Sequence, residues 1–187
     1  MKIIALQGSP RPKGNTQALL EIALEAAAGA GAQVEVVQLS ELTDLTGCRE
    51  CFGCQSNPDE PGCLVEDDMQ PLLARILAAN VLVLATPVFC WSASWLLKMA
   101  VDRLYCMFKF GDGDYRSLLE GRRLAVVITE GNSGSDLITE SFRRMAELAR
   151  CQWLGSLVAT GVGAPDDIRG NAETVERART FGRRLAG

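Results

Sequence analysis

Residues 2–28 read KIIALQ-GSPRPKGNT-QALLEIALEAAA, which is an apolar run, a polar loop and an alanine-rich run. Lys2 to Leu6 predicts a short buried strand. Gln17 to Ala28, rich in Ala, Leu and Glu, predicts a helix. A strand that leads through a loop into a helix is typical of a parallel α/β unit.

The same alternation continues along the chain. Further strands are predicted at 33–39, 81–85, 124–129 and 154–160, and further helices at 69–79, 94–107, 136–149 and 171–185. Parallel strands need long crossovers, so we expect a doubly wound five-stranded parallel sheet in a three-layer α/β/α fold. Five strands favour the flavodoxin-like order 2-1-3-4-5. We expect one domain over 1–187, with a cysteine-rich excursion at about 40–66.

Composition narrows the classes of function. The net charge of −4, from 19 basic and 23 acidic residues, argues against nucleic-acid or anionic-membrane partners. No apolar run approaches the roughly 20 residues that span a bilayer, so a cytoplasmic protein is expected. Histidine is absent from the 187 residues, which argues against hydrolytic triads but leaves cofactor-borne electron transfer open.

The loop after the first strand has the features of an anion site. It opens a helix, whose N-terminal N–H groups and dipole favour negative charge, and it holds cations, hydroxyls and an amide but no acidic residue. The alternative is a tight turn with Asn15 or Thr16 as the helix N-cap. The predicted ligands are Ser9, Arg11, Lys13, Gly14, Asn15 and Thr16.

Two further loops are expected at the same edge of the sheet, because ligands in such folds bind beyond the carboxyl ends of the strands. The loop at 86–92 is apolar and aromatic, and a flat ring such as a flavin would explain it. Packing as core under the next helix is the alternative, above all for Trp91. The predicted ring contacts are Thr86, Pro87, Val88, Phe89, Cys90 and Trp91.

The third loop, 129–135, adds Gly131 and Gly134, where the backbone can approach a ring closely. The alternative is that this loop simply starts a helix with Ser135 or Asp136 as N-cap.

These motifs resemble a known family. Gly8-Ser-Pro-Arg followed by Gly14-Asn-Thr looks like the FMN-phosphate motif of the NAD(P)H-dependent FMN reductase and iron-sulfur flavoprotein group. Thr86-Pro-Val-Phe, with Asp102-Arg103 on the next helix, looks like the family's Pro-Val-Tyr loop and Asp-Arg helix. The resemblance implies bound FMN, with NAD(P)H as a substrate. Phe89 stands where the family often has Tyr. The flavin carries the chemistry, so no catalytic side chain is assigned.

Four of the seven cysteines are closely spaced. Cys48, Cys51 and Cys54 form a Cys-x-x-Cys-x-x-Cys run, and Cys63 follows after eight residues. Four thiolates are compatible with a [4Fe-4S] cluster or a tetrahedral metal. Iron-sulfur flavoproteins carry a similar run at this position, although the last gap is longer here. Reduced or redox-active thiols, zinc and structural cysteines remain alternatives.

The sequence therefore predicts an FMN-dependent oxidoreductase. Its electrons would come from NAD(P)H or a ferredoxin-type donor and pass to a small-molecule or protein acceptor. A cluster in the excursion would lie away from the flavin of its own chain, which favours a homodimer or homotetramer with an apolar interface around 95–110. A non-enzymatic flavin- or metal-sensing module is the alternative.

Overall fold

The computed structural model describes residues 1–111, 114–164 and 167–187. Its strands are β1 (Lys2–Gln7), β2 (Gln33–Gln38), β3 (Val81–Phe89), β4 (Ser92–Ala93), β5 (Phe108–Gly111), β6 (Asp114–Ser117), β7 (Arg123–Thr129) and β8 (Gln152–Ala159). Its α-helices are α1 (Asn15–Gly29), α2 (Met69–Leu77), α3 (Trp95–Arg103), α4 (Ser135–Leu148), α5 (Asp167–Gly170) and α6 (Ala172–Ala186).

Five parallel strands form the central sheet in the order β2-β1-β3-β7-β8. Counting only those five along the chain gives 2-1-3-4-5, so the flavodoxin-like fold is confirmed. The two-residue strand β4 also joins this sheet, antiparallel to β3.

Helices cover both faces of the sheet. Alternate residues of β1 point to opposite faces, so Ile3 and Ala5 lie in one buried cluster and Ile4 and Leu6 in the other. The first cluster contains the apolar faces of α1 and α6 and the second those of α2, α3 and α4. Burial on both faces explains why the inner strands are continuously apolar.

Helices α1 and α6 pack unusually closely. A Cβ built on Gly182 would lie 1.9 Å from the carbonyl oxygen of Ala23. Only glycine fits at this crossing, because a side chain there would force the two helices apart.

The sequence ended the third strand too early, at Thr86-Pro87. β3 continues to Phe89, because Thr86 and Pro87 still pair with Ile128 and Thr129 of β7, and Val88 and Phe89 then pair with β4. The polypeptide reverses through a two-residue turn at Cys90 and Trp91, with φ of 50° and 58°.

A second difference lies after α3. The single helix predicted at 94–107 ends at Arg103 and continues as a 3₁₀ turn over Leu104–Met107. The antiparallel hairpin of β5 and β6 follows and was not predicted. Four-residue strands offer too few residues for an alternation of apolar and polar side chains to be recognised.

The excursion at 40–66 has little regular structure beyond the 3₁₀ turn at Gly53–Ser56 and the end of another at Leu39–Glu41. Among the described residues, no helix has both the length and the apolar character that crossing a membrane requires.

Candidate functional site

The three predicted loops meet at one cavity of about 700 Å³, beyond the carboxyl ends of β1, β3 and β7. We call it the loop cavity. Ten of the predicted residues line it, namely Ser9, Arg11, Lys13, Gly14, Asn15, Thr16, Pro87, Val88, Phe89 and Gly131. Residues that sequence reasoning missed complete its wall, namely Pro10, Pro12, Thr129, Glu130, Val162 and Gly163.

The first loop is folded by its own hydrogen bonds. The side-chain oxygen of Gln7 accepts from the backbone N–H of Ser9. The Ser9 hydroxyl accepts from the N–H of Arg11 at 3.1 Å, and the Arg11 carbonyl accepts from Gly14 N–H at 3.1 Å. The loop is therefore shaped before any ligand binds, while the side chains of Arg11 and Lys13 remain exposed.

The N-terminus of α1 faces the loop cavity without a side-chain cap. Gly14 is the N-cap and makes no side-chain hydrogen bond, and the first turn has no acidic residue. The alternative, in which Asn15 or Thr16 caps the helix, is therefore wrong. Asn15 instead donates from Nδ2 to the carbonyl of Ala164 at 2.7 Å. An uncapped helix N-terminus beside two cations suits a phosphate group.

Thr16 links the first loop to the third. Its hydroxyl lies 2.7 Å from that of Thr129 at the end of β7, and both residues are buried. The sequence places Thr129 at the start of the third loop but does not predict this contact, because the position of Thr129 opposite Thr16 depends on how β7 lies in the sheet.

Ser94 joins the first loop to the second. This fully buried residue donates from its hydroxyl to the carbonyl of Gly8, and its N–H donates to the hydroxyl of Thr86 at 2.9 Å. Thr86 is therefore part of the support beneath the loop cavity and does not line it.

The turn between β3 and β4 sends its aromatic side chains in different directions. Phe89 lines the loop cavity, whereas Trp91 lines a separate groove. Trp91 is 64% exposed, so the alternative that it packs as core is wrong. Cys90 is exposed at the tip. A turn with two positive φ angles is normally made by Asn and Gly, so Cys90 and Trp91 hold a strained conformation.

The third loop is stabilised by Glu130. Its carboxylate accepts from the N–H of Ser135 at 2.9 Å and so satisfies the N-terminus of α4. The alternative caps, Ser135 and Asp136, are wrong, because Gly134 is the N-cap, with φ +111°. A Cβ on Gly134 would lie 2.9 Å from Val88 Cγ1 and 3.1 Å from Trp91 Cδ1. Gly134 therefore allows the β3–β4 turn to pack against α4 and does not line the loop cavity.

The four clustered cysteines line one small cavity of about 20 Å³, which we call the cysteine cavity. Cys48 and Cys51 are exposed, Cys54 is buried and Cys63 is half-buried. In the part of the chain that the structure describes, no three Cys, Asp or Glu side chains converge on a point that would hold a single metal ion.

A buried ion pair lies beside the cysteine cavity. Arg103 is 1% exposed and pairs with the buried carboxylate of Asp67. The guanidinium also donates to the Cys63 sulfur at 3.3 Å. Burial raises the pKa of Asp67, but hydrogen bonds from Arg103 and Thr46 outweigh it, so the pKa lies below its ordinary value of 3.8.

Two other cysteines, Cys106 and Cys151, pack in the apolar core. Burial, with the nearby sulfurs of Cys63 and Cys54 adding to it, raises the pKa of Cys106 to about 12. Burial likewise raises the pKa of Cys151 to about 11. Both are therefore neutral thiols at pH 7.

A groove of about 620 Å³ connects the cysteine segment with the β3–β4 turn. We call it the side groove. Cys48 and Phe52 line it on one side and Trp91 on another, while Leu137 and Met145 of α4 contribute apolar surface. The excursion and the second loop therefore share one surface.

Comparisons with known proteins agree with this architecture. A family model described as NADPH-dependent FMN reductase matches residues 1–164. An iron-sulfur flavoprotein of Methanocaldococcus jannaschii is 29% identical over 196 residues, which cover 100% of this chain and 96% of the relative. An iron-sulfur flavoprotein of Archaeoglobus fulgidus is 30% identical over 138 residues, covering 73% of this chain and 63% of the relative.

Solved structures show the same fold. An FMN-dependent NADH-azoreductase of Bacillus anthracis, in complex with FMN, superposes with a TM-score of 0.74 at 16% identity over 100% of both chains. An NAD(P)H:quinone oxidoreductase of Methanothermobacter marburgensis gives a TM-score of 0.74 at 22% identity, covering 99% of this chain and 98% of that one. The family model spans well over half of the sequence, and the chain therefore belongs to the NADPH-dependent FMN reductase family of oxidoreductases.

Proposed function

We propose that the loop cavity binds FMN and that the protein is an FMN-dependent oxidoreductase. The observation that carries this is the meeting of three loops on one cavity, whose wall includes the uncapped N-terminus of α1, two cations and an exposed aromatic ring. Its volume of about 700 Å³ lies in the range of cofactor sites.

The first loop would hold the phosphate. Arg11 and Lys13 supply positive charge, and the hydroxyl and N–H groups of the loop supply donors. Phe89 and the neighbouring main chain at Pro87 and Val88 would contact the ring, and Gly131 allows close approach from the third loop. The azoreductase of similar fold was solved in complex with FMN, which supports this choice of ligand.

Bound FMN would supply the electron transfer, taking electrons from NAD(P)H or a ferredoxin-type donor for a small-molecule or protein acceptor. The residues of this chain would bind and orient the cofactor. The family description favours NADPH as donor, and the iron-sulfur flavoprotein relatives favour a protein donor.

We also propose that Cys48, Cys51, Cys54 and Cys63 hold a [4Fe-4S] cluster. Each thiolate of a [4Fe-4S] cluster binds a different iron. The four sulfur atoms therefore have to surround a common cavity and do not have to converge on a single point. The four thiols share the cysteine cavity, with Arg103 beside Cys63 to balance negative charge. The cavity is small, so the exposed side chains of Cys48 and Cys51 would have to rotate outward to admit a cluster.

We also propose that the protein forms a homo-oligomer through the side groove. Trp91 and Leu137 of the side groove are more than half exposed, as is the neighbouring Trp95. Apolar surface of this kind on a single chain is typical of a contact with another protein. A second copy of the chain is the partner that we propose.

The first experiment is an absorption spectrum of anaerobically purified protein, with iron, sulfide and zinc measured on the same sample. Flavin bands with matching iron and sulfide would support both cofactor proposals. Flavin bands without metal would support only the FMN site. Protein that binds FMN but is reduced neither by NAD(P)H nor by reduced ferredoxin would favour the redox-sensor alternative.

Arg11→Ala should weaken FMN binding by about 10-fold or more, because a charge-assisted hydrogen bond contributes roughly 1.5–3 kcal/mol. Fluorescence titration of apoprotein with FMN measures this change. Arg183→Ala is the matched control, since Arg183 lies on α6 and bonds to Glu176. Equal affinity in the Arg11 and Arg183 variants would contradict the phosphate site.

A further inference from the structure

The gap between Cys54 and Cys63 poses a geometric problem for the cluster proposed above, on which this inference rests. Eight residues separate these cysteines, and they must fold back for Cys63 to face the other three. The 3₁₀ turn at Gly53–Ser56 starts this path, and the remaining residues have no helix or strand of their own. Residues outside this segment must therefore hold it in its folded-back path.

The β5–β6 hairpin supplies those contacts. Gln55 donates from Nε2 to the carbonyl of Phe108 at 3.0 Å and accepts at Oε1 from the N–H of Phe110 at 3.0 Å. Arg116 donates to the carbonyl of Pro58 at 2.8 Å and to the carboxylate of Asp59 at 2.9 Å. The hairpin thus makes hydrogen bonds to the segment between Cys54 and Cys63, near its start and in its middle.

The buried side chain of Lys109 connects the two ends of this segment. Its ammonium donates to the carbonyl of Cys54 at 2.6 Å and to that of Pro61 at 3.1 Å, so one side chain joins the two ends of the gap. Lys109 is 4% exposed. Burying an ammonium group is costly without compensating hydrogen bonds, and here the carbonyl groups at both ends of the gap supply them.

Arg103 continues the same arrangement beyond the gap. It donates to the Cys63 sulfur at 3.3 Å and to the carbonyl of Val65 at 3.2 Å. Two buried cations, one on α3 and one on β5, therefore hold the backbone two residues before Cys63 and two residues after it.

We propose that Lys109 is a positioning residue for the four-cysteine site. It holds the long segment between Cys54 and Cys63 in a folded-back path, so that Cys63 returns to the cysteine cavity. The β5–β6 hairpin is its scaffold. Loss of a supporting residue around a metal site typically weakens metal binding by about 10- to 100-fold, which sets the size of the expected effect.

The test compares Lys109→Met and Gln55→Ala with wild type. Lys109→Arg retains charge and donors, and Lys2→Met removes a lysine at the opposite end of the sheet, where Lys2 lies near Glu35. Each protein is loaded anaerobically with ferrous iron and sulfide, and bleaching of the visible absorbance by a chelator gives the rate of cluster loss. Alkylation of Cys54 and Cys63 in the metal-free proteins, followed by mass spectrometry, is the second readout.

We expect Lys109→Met to lose iron roughly 10-fold faster than wild type and to expose Cys54 and Cys63 to alkylation. Gln55→Ala should show the same changes to a smaller extent, and Lys109→Arg and Lys2→Met should resemble wild type. Unchanged bleaching and alkylation in both Lys109→Met and Gln55→Ala would overturn the inference. Wild type that binds no iron, with alkylation still enhanced in Lys109→Met, would refute the cluster while supporting the positioning role.

Discussion

Thr16 and Thr129 show how two ordinary residues define the loop cavity. Their hydroxyls are 2.7 Å apart, and each hydroxyl carries one proton and accepts at two lone pairs. The bond between them uses only one of the two protons. The other proton remains available for an acceptor, and a phosphate oxygen in the loop cavity would be such an acceptor.

Thr16→Val and Thr129→Val should each lower the free energy of unfolding by about 1–3 kcal/mol, because each leaves a buried hydroxyl without its partner. The double variant should cost less than the sum, since it removes both polar groups. Urea denaturation of the FMN-free protein measures all three. Additive losses would mean that the two hydroxyls do not interact.

The sequence predicted most of the residues that line the loop cavity, because Ser9, Arg11 and Asn15 share one continuous loop with a recognisable composition. It could not predict that Glu130 accepts from the first N–H of α4, since a carboxylate five residues before that N–H has no local signature. Val162 and Gly163 were missed for a related reason, because only the position of β8 beside β7 brings them to the cavity.

At the scale of elements, the pair of Arg103 and Asp67 joins α3 to the cysteine segment. Arg103 belongs to the Asp-Arg motif that the sequence highlighted, yet its neighbour Asp102 makes only an exposed ion pair with Lys98. Asp67 lies just before α2 and accepts from the N–H of Met69 at 3.1 Å, but its principal partner is Arg103, 36 residues away.

Asp67→Asn should destabilise the protein by about 3–5 kcal/mol at pH 7, because it leaves the Arg103 guanidinium buried without its counter-charge. Asp102→Asn is the matched control, and loss of its exposed pair should cost only about 0.3–0.5 kcal/mol. Thermal or urea unfolding distinguishes the two. Equal losses would refute the special role of the buried pair.

The same carboxyl predicts a pH dependence. The pKa of Asp67 is lowered in the folded state from 3.8, so its stabilisation is complete above that value. As the pH falls below about 4, the unfolded chain binds the proton more readily and stability is lost. In Asp67→Asn, this part of the curve of unfolding free energy against pH should be flatter than in wild type.

The turn between β3 and β4 is one of the elements that the sequence did not predict. A Cys-Trp pair does not signal a two-residue hairpin, whose usual residues are Asn and Gly. Cys90→Asn should therefore stabilise the FMN-free protein by about 0.5–1 kcal/mol, since Asn tolerates positive φ better. Cys90→Ala keeps the strain and should give no gain in urea denaturation.

At the scale of the whole molecule, alternation of apolar runs and helices was enough to predict the sheet and its strand order. Burial on both faces makes the inner strands continuously apolar, and this pattern is strong. Side-chain directions were harder to predict. Phe89 and Trp91 are two residues apart, yet the reversal of the polypeptide between them sends one to the loop cavity and the other to the side groove.

The proposed oligomer should dissociate towards monomer in Leu137→Glu, because this substitution places a charge in the exposed apolar surface of the side groove. Light scattering coupled to gel filtration measures the mass. Val36→Glu, on the edge strand β2, introduces the same charge at another exposed apolar residue and should leave the mass unchanged. An unaltered oligomer in Leu137→Glu would refute this surface as the subunit contact.

The β3–β4 turn lies between the loop cavity and the side groove and presents one aromatic side chain to each. Binding in the loop cavity and binding in the side groove can therefore be thermodynamically linked through this turn. Any molecule that occupies the side groove and displaces the turn would alter the affinity of the loop cavity for its ligand by some factor. The ligand of the loop cavity would, by reciprocity, alter the affinity of the side groove by the same factor.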